Sequence, residues 1–103
     1  MLERTIAGTI INVSGEPLAH AVFYIYPAKQ VVSGNELSTA RPIRVETNEL
    51  GAYNFSLVVY GDLDETPIRY IFERNKETFA FDVVSGPPTS LGALLEGEDP
   101  FID

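Results

Sequence analysis

The residue types that perform most enzyme chemistry are scarce in this chain. Its 103 residues include one histidine, His20, and no cysteine, which removes thiolate nucleophiles, disulfides and cysteine-bound zinc. A Ser-His-Asp arrangement would need Ser14, Ser33 or Ser85 beside His20, and none of these serines lies in a Gly-x-Ser-x-Gly turn. A lone histidine at the start of a strand is usually a solvated polar residue. We therefore predict no enzyme activity and no cofactor.

Clustered carboxylates are the remaining candidates for metal chemistry. The segment "GDLDET" could present Asp62, Asp64 and Glu65 to a calcium ion, because calcium prefers oxygen ligands. The segment lacks the spacing, with a glycine and a closing glutamate, that an EF-hand loop requires, and surface loops with two or three carboxylates are common. We predict no metal site there, and calcium binding stays the alternative.

The charge balance argues against two classes of partner. Fifteen acidic residues against seven basic ones give a formal net charge of −8, which repels phosphate backbones and anionic lipids. No apolar run approaches the roughly 18 residues of a membrane-spanning helix, and the start "MLERTIAG" lacks the pattern of a signal peptide. We expect a single soluble domain with no nucleic acid and no membrane as partner.

Short runs of alternating residues dominate the chain and predict strands. Clusters of Gly, Pro, Asn, Asp and Ser separate these runs. The predicted strands span residues 4–13, 20–27, 30–33, 41–47, 51–60, 67–74 and 77–85. This spacing predicts an all-β fold, a small antiparallel β-sandwich of about seven strands of the Greek-key type, with a small barrel as the alternative.

Alternation within the later strands assigns part of the predicted core. If Asn54 and Ser56 face water, their neighbours face inward. The predicted inward residues are Tyr53, Phe55, Leu57, Tyr70, Phe72, Phe79, Phe81 and Val83. In the preceding turn, Asn48 can bond its own backbone and Gly51 can adopt a positive φ. The stretch "TNELGAYNF" is therefore interpreted as a folding signature.

The C-terminal residues follow a helical pattern. "GPP" ends the last strand, and Leu91, Leu94 and Leu95 then fall at i, i+3 and i+4, behind Thr89 or Ser90 as the N-cap. This spacing predicts one or two helical turns, followed by an acidic tail, "EGEDPFID", that is mobile unless something holds it. The predicted division is a β-sandwich domain over residues 1–88 and a C-terminal segment over residues 89–103.

Two stretches of the chain resemble one known family. The stretches "GTIINVSGEPLAHAVFYI" and "TNELGAYNFSL" resemble the carboxypeptidase-regulatory-like, or transthyretin-like (prealbumin-like), β-sandwich domain. The positions that carry the resemblance are Gly8, Gly15, Pro17, Leu18, Ala21, Thr47, Asn48, Gly51, Tyr53 and Phe55. The resemblance covers about half of the chain and implies the fold. It implies no single function, since this sandwich occurs in adhesins, transporters, enzymes and virus particles.

Enzymes that share this sandwich need residues that the chain lacks. The transthyretin-related hydrolases of 5-hydroxyisourate need several His and Arg residues and a C-terminal Tyr-Arg-Gly-Ser, whereas this chain has one His and ends in "PFID". Intradiol dioxygenases hold iron with two Tyr and two His. The resemblance therefore favours a domain without catalytic activity.

The whole layout is similar to domains of tailed-bacteriophage virion proteins. An aromatic strand, a proline turn and a leucine-rich end, "FAFDVVSGPPTSLGALL", carry this similarity. It implies a structural module of a tail, baseplate or fibre, assembled in the host cytoplasm, that docks neighbouring subunits. Small β modules with exposed edges also favour self-association, so we expect a homo-oligomer or a virion assembly.

The second strand supplies the predicted docking surface. In the resembled fold Ala21, Phe23 and Ile25 face the core, so the residues between them face outward, and aromatic residues are enriched at interfaces. The predicted partner-binding residues are Val22, Tyr24, Tyr26, Leu91, Leu94, Leu95 and Phe101. In the alternative interpretation the three leucines cover the outward stripe within the chain.

A second function hypothesis uses the loops. The chain could be a carbohydrate- or peptide-binding accessory domain of a larger surface protein. The long polar segment from Ala28 to Ala40 and the loop at Asp62 would then form its binding site.

Overall fold

The computed structural model describes residues 2–61 and 66–101, so the predicted calcium ligands Asp62, Asp64 and Glu65 lie outside the described residues. The elements are β1 (Leu2–Thr9), β2 (Val22–Pro27), β3 (Val31–Ser33), β4 (Glu36–Ser38), β5 (Ile43–Glu46), β6 (Ala52–Val59), β7 (Ile68–Arg74), β8 (Glu77–Val83) and α1 (Leu91–Leu95). The all-β prediction is confirmed. The added strand, β4, forms because the chain reverses at Gly34, whose φ is 59°, and pairs with β3.

Two antiparallel sheets enclose the core. One sheet has the strand order β5-β2-β7-β8 and the other pairs β1 with β6, while β3 and β4 form a separate hairpin. The chain changes sheet between β1 and β2, between β5 and β6, and between β6 and β7. The largest fully buried side chains between the sheets include Phe23, Phe72, Ile6 and Ile25. These contacts join residues far apart in sequence, as expected for a β-sandwich.

The alternation of each strand sets which side chains enter this core. Most of the predicted inward residues are buried, namely Tyr53, Leu57, Tyr70, Phe72, Phe81 and Val83. Phe55 and Phe79 are partly buried and pack against the same cluster. At its centre, Phe23 stacks on Phe72 with ring centroids 4.8 Å apart. Edge-to-face contacts of Phe23 with Tyr53 and Phe55 add to the packing.

The turn between β5 and β6 is held by its own side chains, as predicted. The Asn48 carboxamide oxygen accepts hydrogen bonds from the backbone N–H groups of Leu50, at 2.8 Å, and Ala52, at 3.0 Å. Gly51 has a φ of 75°, and a Cβ there would lie 2.5 Å from the carbonyl oxygen of Ile10. Only glycine satisfies both the conformation and the close approach.

Thr47 ties this turn to the start of β2. Its hydroxyl accepts a hydrogen bond from the N–H of Ala21, at 2.8 Å, and donates to the carbonyl of Leu18, at 2.6 Å. The residue is 1% exposed. Since a buried hydroxyl needs a partner, these two bonds explain a threonine at a core position.

Tyr53 and Gly8 form a matched pair across the β1-β6 sheet. The Tyr53 hydroxyl accepts a hydrogen bond from the N–H of Leu91 at 2.9 Å. A Cβ at Gly8 would lie 2.8 Å from that hydroxyl oxygen. Glycine at position 8 therefore leaves room for the tyrosine that anchors the start of α1.

The C-terminal segment closes one side of the sandwich. Thr89 pairs with β1, bonding the N–H of Ala7 at 2.9 Å and the carbonyl of Thr5 at 3.0 Å. The helix α1 then packs against β8 and β1. Its N-cap is Ser90, whose hydroxyl accepts a hydrogen bond from the N–H of Ala93, so the predicted helical turn and cap are confirmed.

Candidate functional site

The predicted docking stripe on β2 lies on the outer face of the four-stranded sheet. Strand register places Val22 beside Glu46, Tyr24 beside Arg44 and Glu73, and Tyr26 beside Ile71. Because side chains alternate along a strand, these residues share the face opposite to the buried Phe23 and Ile25. We call this surface the outer face, defined by Val22, Tyr24, Tyr26, Arg44, Glu46, Arg69, Ile71, Glu73, Thr78, Ala80 and Asp82.

The centre of the outer face is apolar and only partly covered. Tyr24 is 40% exposed, and Val22, Tyr26 and Ile71 are half-buried by one another and by their neighbours. Ala80 continues the apolar strip onto β8, opposite Ile71. The strip thus crosses three paired strands and presents two tyrosine rings.

Charged pairs flank this strip on both sides. On the β5 side, Glu46 lies 3.1 Å from Arg44 and 3.5 Å from the imidazole of His20. On the β8 side, Arg69 and Asp82 pair at 3.1 Å. All five side chains are at least partly exposed, so these pairs add little to folding stability. They give the outer face both signs of charge in a chain that is strongly acidic overall.

The helix α1 lies at the β8 border of the outer face, where Leu94 lines a pocket together with Ala80 and Asp82. Leu91 is 3% exposed and Leu95 is 7% exposed, because both belong to the core between the two sheets. Leu94 is half-buried against that core. Leu91 and Leu95 are therefore not available to a partner in the folded chain, and the partner-binding role of Leu94 stays a prediction. In the alternative interpretation the leucines cover the stripe on β2, whereas Leu91 and Leu95 lie in the core and α1 packs mainly against β8 and β1.

Phe101 likewise serves the interior. Its ring makes edge contacts with Phe23 and Phe72, at centroid distances of 5.8 and 5.6 Å. The guanidinium of Arg74 lies 5.2 Å from the centre of the Phe101 ring and donates a hydrogen bond to the carbonyl of Pro100. These contacts hold the acidic tail against the sandwich, and they leave Val22, Tyr24 and Tyr26 as the predicted partner-binding residues that lie on the outer face.

The sequence analysis did not identify two groups of apolar residues at the surface. Ile71 joins the stripe only through the pairing of β2 with β7, which the alternation within one strand does not reveal. Ile11, Val13 and Leu50 are 60%, 107% and 72% exposed at the turns between β1 and β2 and between β5 and β6. Ile11 and Val13 were assigned to the predicted strand 4–13, but β1 ends at Thr9, so both lie in the turn that follows it.

The described residues offer few groups for chemistry. Within residues 2–61 and 66–101, no set of three or more His, Cys, Asp or Glu side chains is placed to hold a metal ion. His20 lies beside Glu46 with a largely exposed side chain. Burial raises the pKa of Tyr70 to about 12, and the Tyr70 hydroxyl donates a hydrogen bond to the carbonyl of Val58 at 2.7 Å. Burial also raises the pKa of Tyr53.

Comparison with models of known protein families gives no match, and comparison with curated proteins gives none either. No helix in the described part of the chain is long and apolar enough to cross a membrane.

Proposed function

We propose that this chain is a non-enzymatic structural module that docks a neighbouring protein through the outer face. The observation that carries the proposal is the partly exposed strip of Val22, Tyr24, Tyr26 and Ile71 on a rigid sheet. Tyrosine rings supply a large contact area with little loss of conformational entropy, which suits them to protein interfaces.

The charged flanks suit a docking role as well. The pairs Arg44–Glu46 and Arg69–Asp82 are solvent-exposed, so a partner can exchange contacts with them at small cost to the fold. Opposite charges around an apolar centre fix the orientation of a partner more than they add affinity. The expected interface therefore has tyrosine anchors at its centre and charged residues at its rim.

We place this module in the virion of a tailed bacteriophage, as a carboxypeptidase-regulatory-like or transthyretin-like domain. The support is the resemblance of residues 8–25 and 47–57 and the similarity of the proline turn and leucine-rich end. The physical roles of Gly8, Thr47, Gly51 and Tyr53 in the turns and the core are compatible with it. The partner is then a neighbouring structural protein of the same particle.

Co-expression with the products of the genes that flank its own gene tests this proposal. We expect one of these products to co-purify with the chain, and Tyr24→Thr to weaken the complex by about tenfold or more, as for a central aromatic anchor. Val13→Thr is the matched control, because Val13 is fully exposed and belongs to the segment between β1 and β2 and not to the outer face. Binding should stay at the wild-type level in that variant.

Two results would overturn the proposal. One is the absence of any complex with the flanking products. The other is equal loss of binding in Tyr24→Thr and Val13→Thr, which would remove the outer face as the docking surface.

One feature favours the second candidate function, recognition of a carbohydrate or peptide. A pocket of about 410 Å³ lies at the end of the sandwich where β7 begins, and its lining residues include Ala28, Lys29, Val31, Tyr60, Pro67, Ile68 and Arg69. An apolar floor with a few polar groups is typical of ligand sites. Two results together would favour this function over docking. One is binding on a glycan array that is lost in Tyr60→Ala, and the other is the absence of a complex with the products of the flanking genes.

A further inference from the structure

We infer that the free edge of β6 is a self-complementary strand edge, and that two copies of the chain join there into one continuous sheet. The inference starts from where the backbone groups of β6 point. In an antiparallel pair, alternate residues direct both N–H and C=O toward the partner strand, and the residues between them direct both groups away.

Hydrogen bonds on both sides of the β1-β6 pair fix this alternation. On β1, Thr5 and Ala7 bond Thr89 and therefore face away from β6. Their register partners are Ser56 and Asn54, so these two residues also face away from β1. The same alternation holds at both ends of β6. The carbonyl of Ala52 accepts a hydrogen bond from the N–H of Asn48, and the carbonyl of Val58 accepts one from the hydroxyl of Tyr70, so both carbonyls face away from β1.

The middle of β6 is therefore an open edge. The N–H and C=O groups of Asn54 and Ser56 point off the sheet, and none of them has a hydrogen-bond partner among residues 2–61 and 66–101. A row of unpaired backbone groups is a template for another strand. Side chains do not block the edge, because β6 has the sequence AYNFSLVV, without charge or proline.

The other edges of the two sheets that enclose the core carry protection that β6 lacks. The outer edge of β1 is occupied by Thr89. The helix α1 lies beside β8. The edge strand β5 has only four residues, follows Pro42, and presents Arg44 and Glu46. Short length, proline, charge and covering segments are the devices that keep edges from pairing, and their absence on β6 singles it out.

A second copy of the chain fits this edge in one register. If two β6 strands run antiparallel with Asn54 opposite Ser56 of the other copy, all four open groups of each strand pair. Phe55 then faces Phe55 of the other copy across the two-fold axis, in a closely spaced position. Phe55 is only half-buried although it packs on Phe23 and Tyr53, so this contact would cover its remaining exposed surface. The interface is isologous and closes as a dimer.

Charge restricts where two copies of the chain can meet. Each chain carries a net charge of −8, so two copies repel except where the contact is uncharged. The β6 edge supplies such a contact. Added salt should therefore tighten the dimer by screening the repulsion between the remaining surfaces, whereas a docking site based on ion pairs would weaken.

Sedimentation velocity over a concentration series tests the inference directly. We expect a monomer–dimer equilibrium in the wild type, and Ser56→Pro should raise the dissociation constant by about tenfold or more, because proline removes an N–H that the partner needs. The fold should survive, since proline is tolerated where the strand N–H faces away from its sheet. Ser56→Ala is the matched control, because it keeps the N–H and should leave the dissociation constant unchanged.

A second variant and a second measurement test the inference even if the proline variant misfolds. The double change Asn54→Asp and Ser56→Asp brings carboxylates opposite each other across the axis and should also dissociate the dimer. Amide hydrogen exchange at Asn54 and Ser56 should slow as protein concentration rises, whereas a monomer leaves both amides open to water.

Three results would overturn the inference. They are a monomer at high micromolar concentration, a dimer whose dissociation constant neither Ser56→Pro nor the aspartate pair changes, and fast exchange at Asn54 and Ser56 under dimer conditions. A strand of another protein on this edge, without a dimer, would count against it as well. The inference is independent of the outer face, because Tyr24→Thr should leave the dimer intact whether or not docking to a flanking gene product is found.

Discussion

Phe23 and Tyr24 are adjacent on β2 and lie on opposite faces of the same sheet. The inner residue, Phe23, is fully buried and contacts four aromatic rings, those of Tyr53, Phe55, Phe72 and Phe101. The outer residue, Tyr24, is 40% exposed, and its neighbours across the strands are the charged Arg44 and Glu73. The inner face therefore determines the stability of the fold, whereas the outer face is available for contact with a partner.

This separation has a consequence for mutagenesis. Side chains on the inner face have no room to change, because the interior is close-packed and holds rings from both sheets and from the tail. Side chains on the outer face have neighbours on the sheet but solvent above them. Changes on the inner face should thus alter the free energy of unfolding, and changes on the outer face should alter binding.

The largest expected effect follows removal of the ring of Phe23. Phe23→Ala should lower the free energy of unfolding by about 3–5 kcal/mol, because it leaves a cavity at the meeting point of both sheets and the tail. Urea denaturation followed by circular dichroism measures this loss. If the variant does not fold, Phe23→Leu gives the same test at smaller cost, about 1–2 kcal/mol. A loss no greater than that of an outer-face variant would contradict the inner assignment of Phe23.

Alternation along β2 divided its side chains between two faces, and the family resemblance implied which of the two faces enters the core. Alternation along one strand, turn chemistry at Asn48 and Gly51, and the N-cap at Ser90 all involve residues close in sequence. The spacing of Leu91, Leu94 and Leu95 predicted a helix in the same way. These features are confirmed by the burial pattern and the hydrogen bonds.

The remaining features depend on which elements become neighbours. The leucines of α1 fit either the outer face or the gap between β8 and β1, and only the pairing of Thr89 with β1 decides between the two. Phe55 was predicted to be inward and is half-buried, because β6 has no neighbour on one edge. Ile71 joined the stripe through the β2-β7 register. The sequence therefore predicted the part of the candidate site that lies on β2, but not the part that lies on β7.

A smaller effect is expected at the inner tyrosine Tyr70, and it depends on pH. Burial raises the pKa of Tyr70 to about 12, compared with 10.0 for an exposed tyrosine. The folded state thus holds the proton more tightly, so the stabilisation is complete below about pH 10 and is lost as the pH rises toward 12. The loss should amount to about 2–3 kcal/mol over that range.

Tyr70→Phe separates this effect from general alkaline damage. The variant gives up the hydrogen bond to the carbonyl of Val58, which should cost about 1 kcal/mol at neutral pH. Its stability should then fall less steeply between pH 10 and 12 than that of the wild type. Some slope should remain, because burial also raises the pKa of Tyr53. The measurement is urea denaturation at several pH values between 10 and 12. If the free energy of unfolding falls as steeply in Tyr70→Phe as in the wild type, ionisation of Tyr70 does not cause the loss of stability.

The smallest effect on stability is expected at Tyr24, and it is the most informative for function. Threonine keeps the β-strand preference of position 24 and removes the ring, so Tyr24→Thr should change the free energy of unfolding by only about 0.5 kcal/mol. The same variant should weaken docking through the outer face by about tenfold or more, because a central aromatic ring supplies much of the energy of an interface. Stability and docking would then change independently at two adjacent residues of β2. A loss of stability as large as that of Phe23→Leu would mean that the ring of Tyr24 is needed for packing within the chain. That result would contradict the proposal that the outer face is the docking surface.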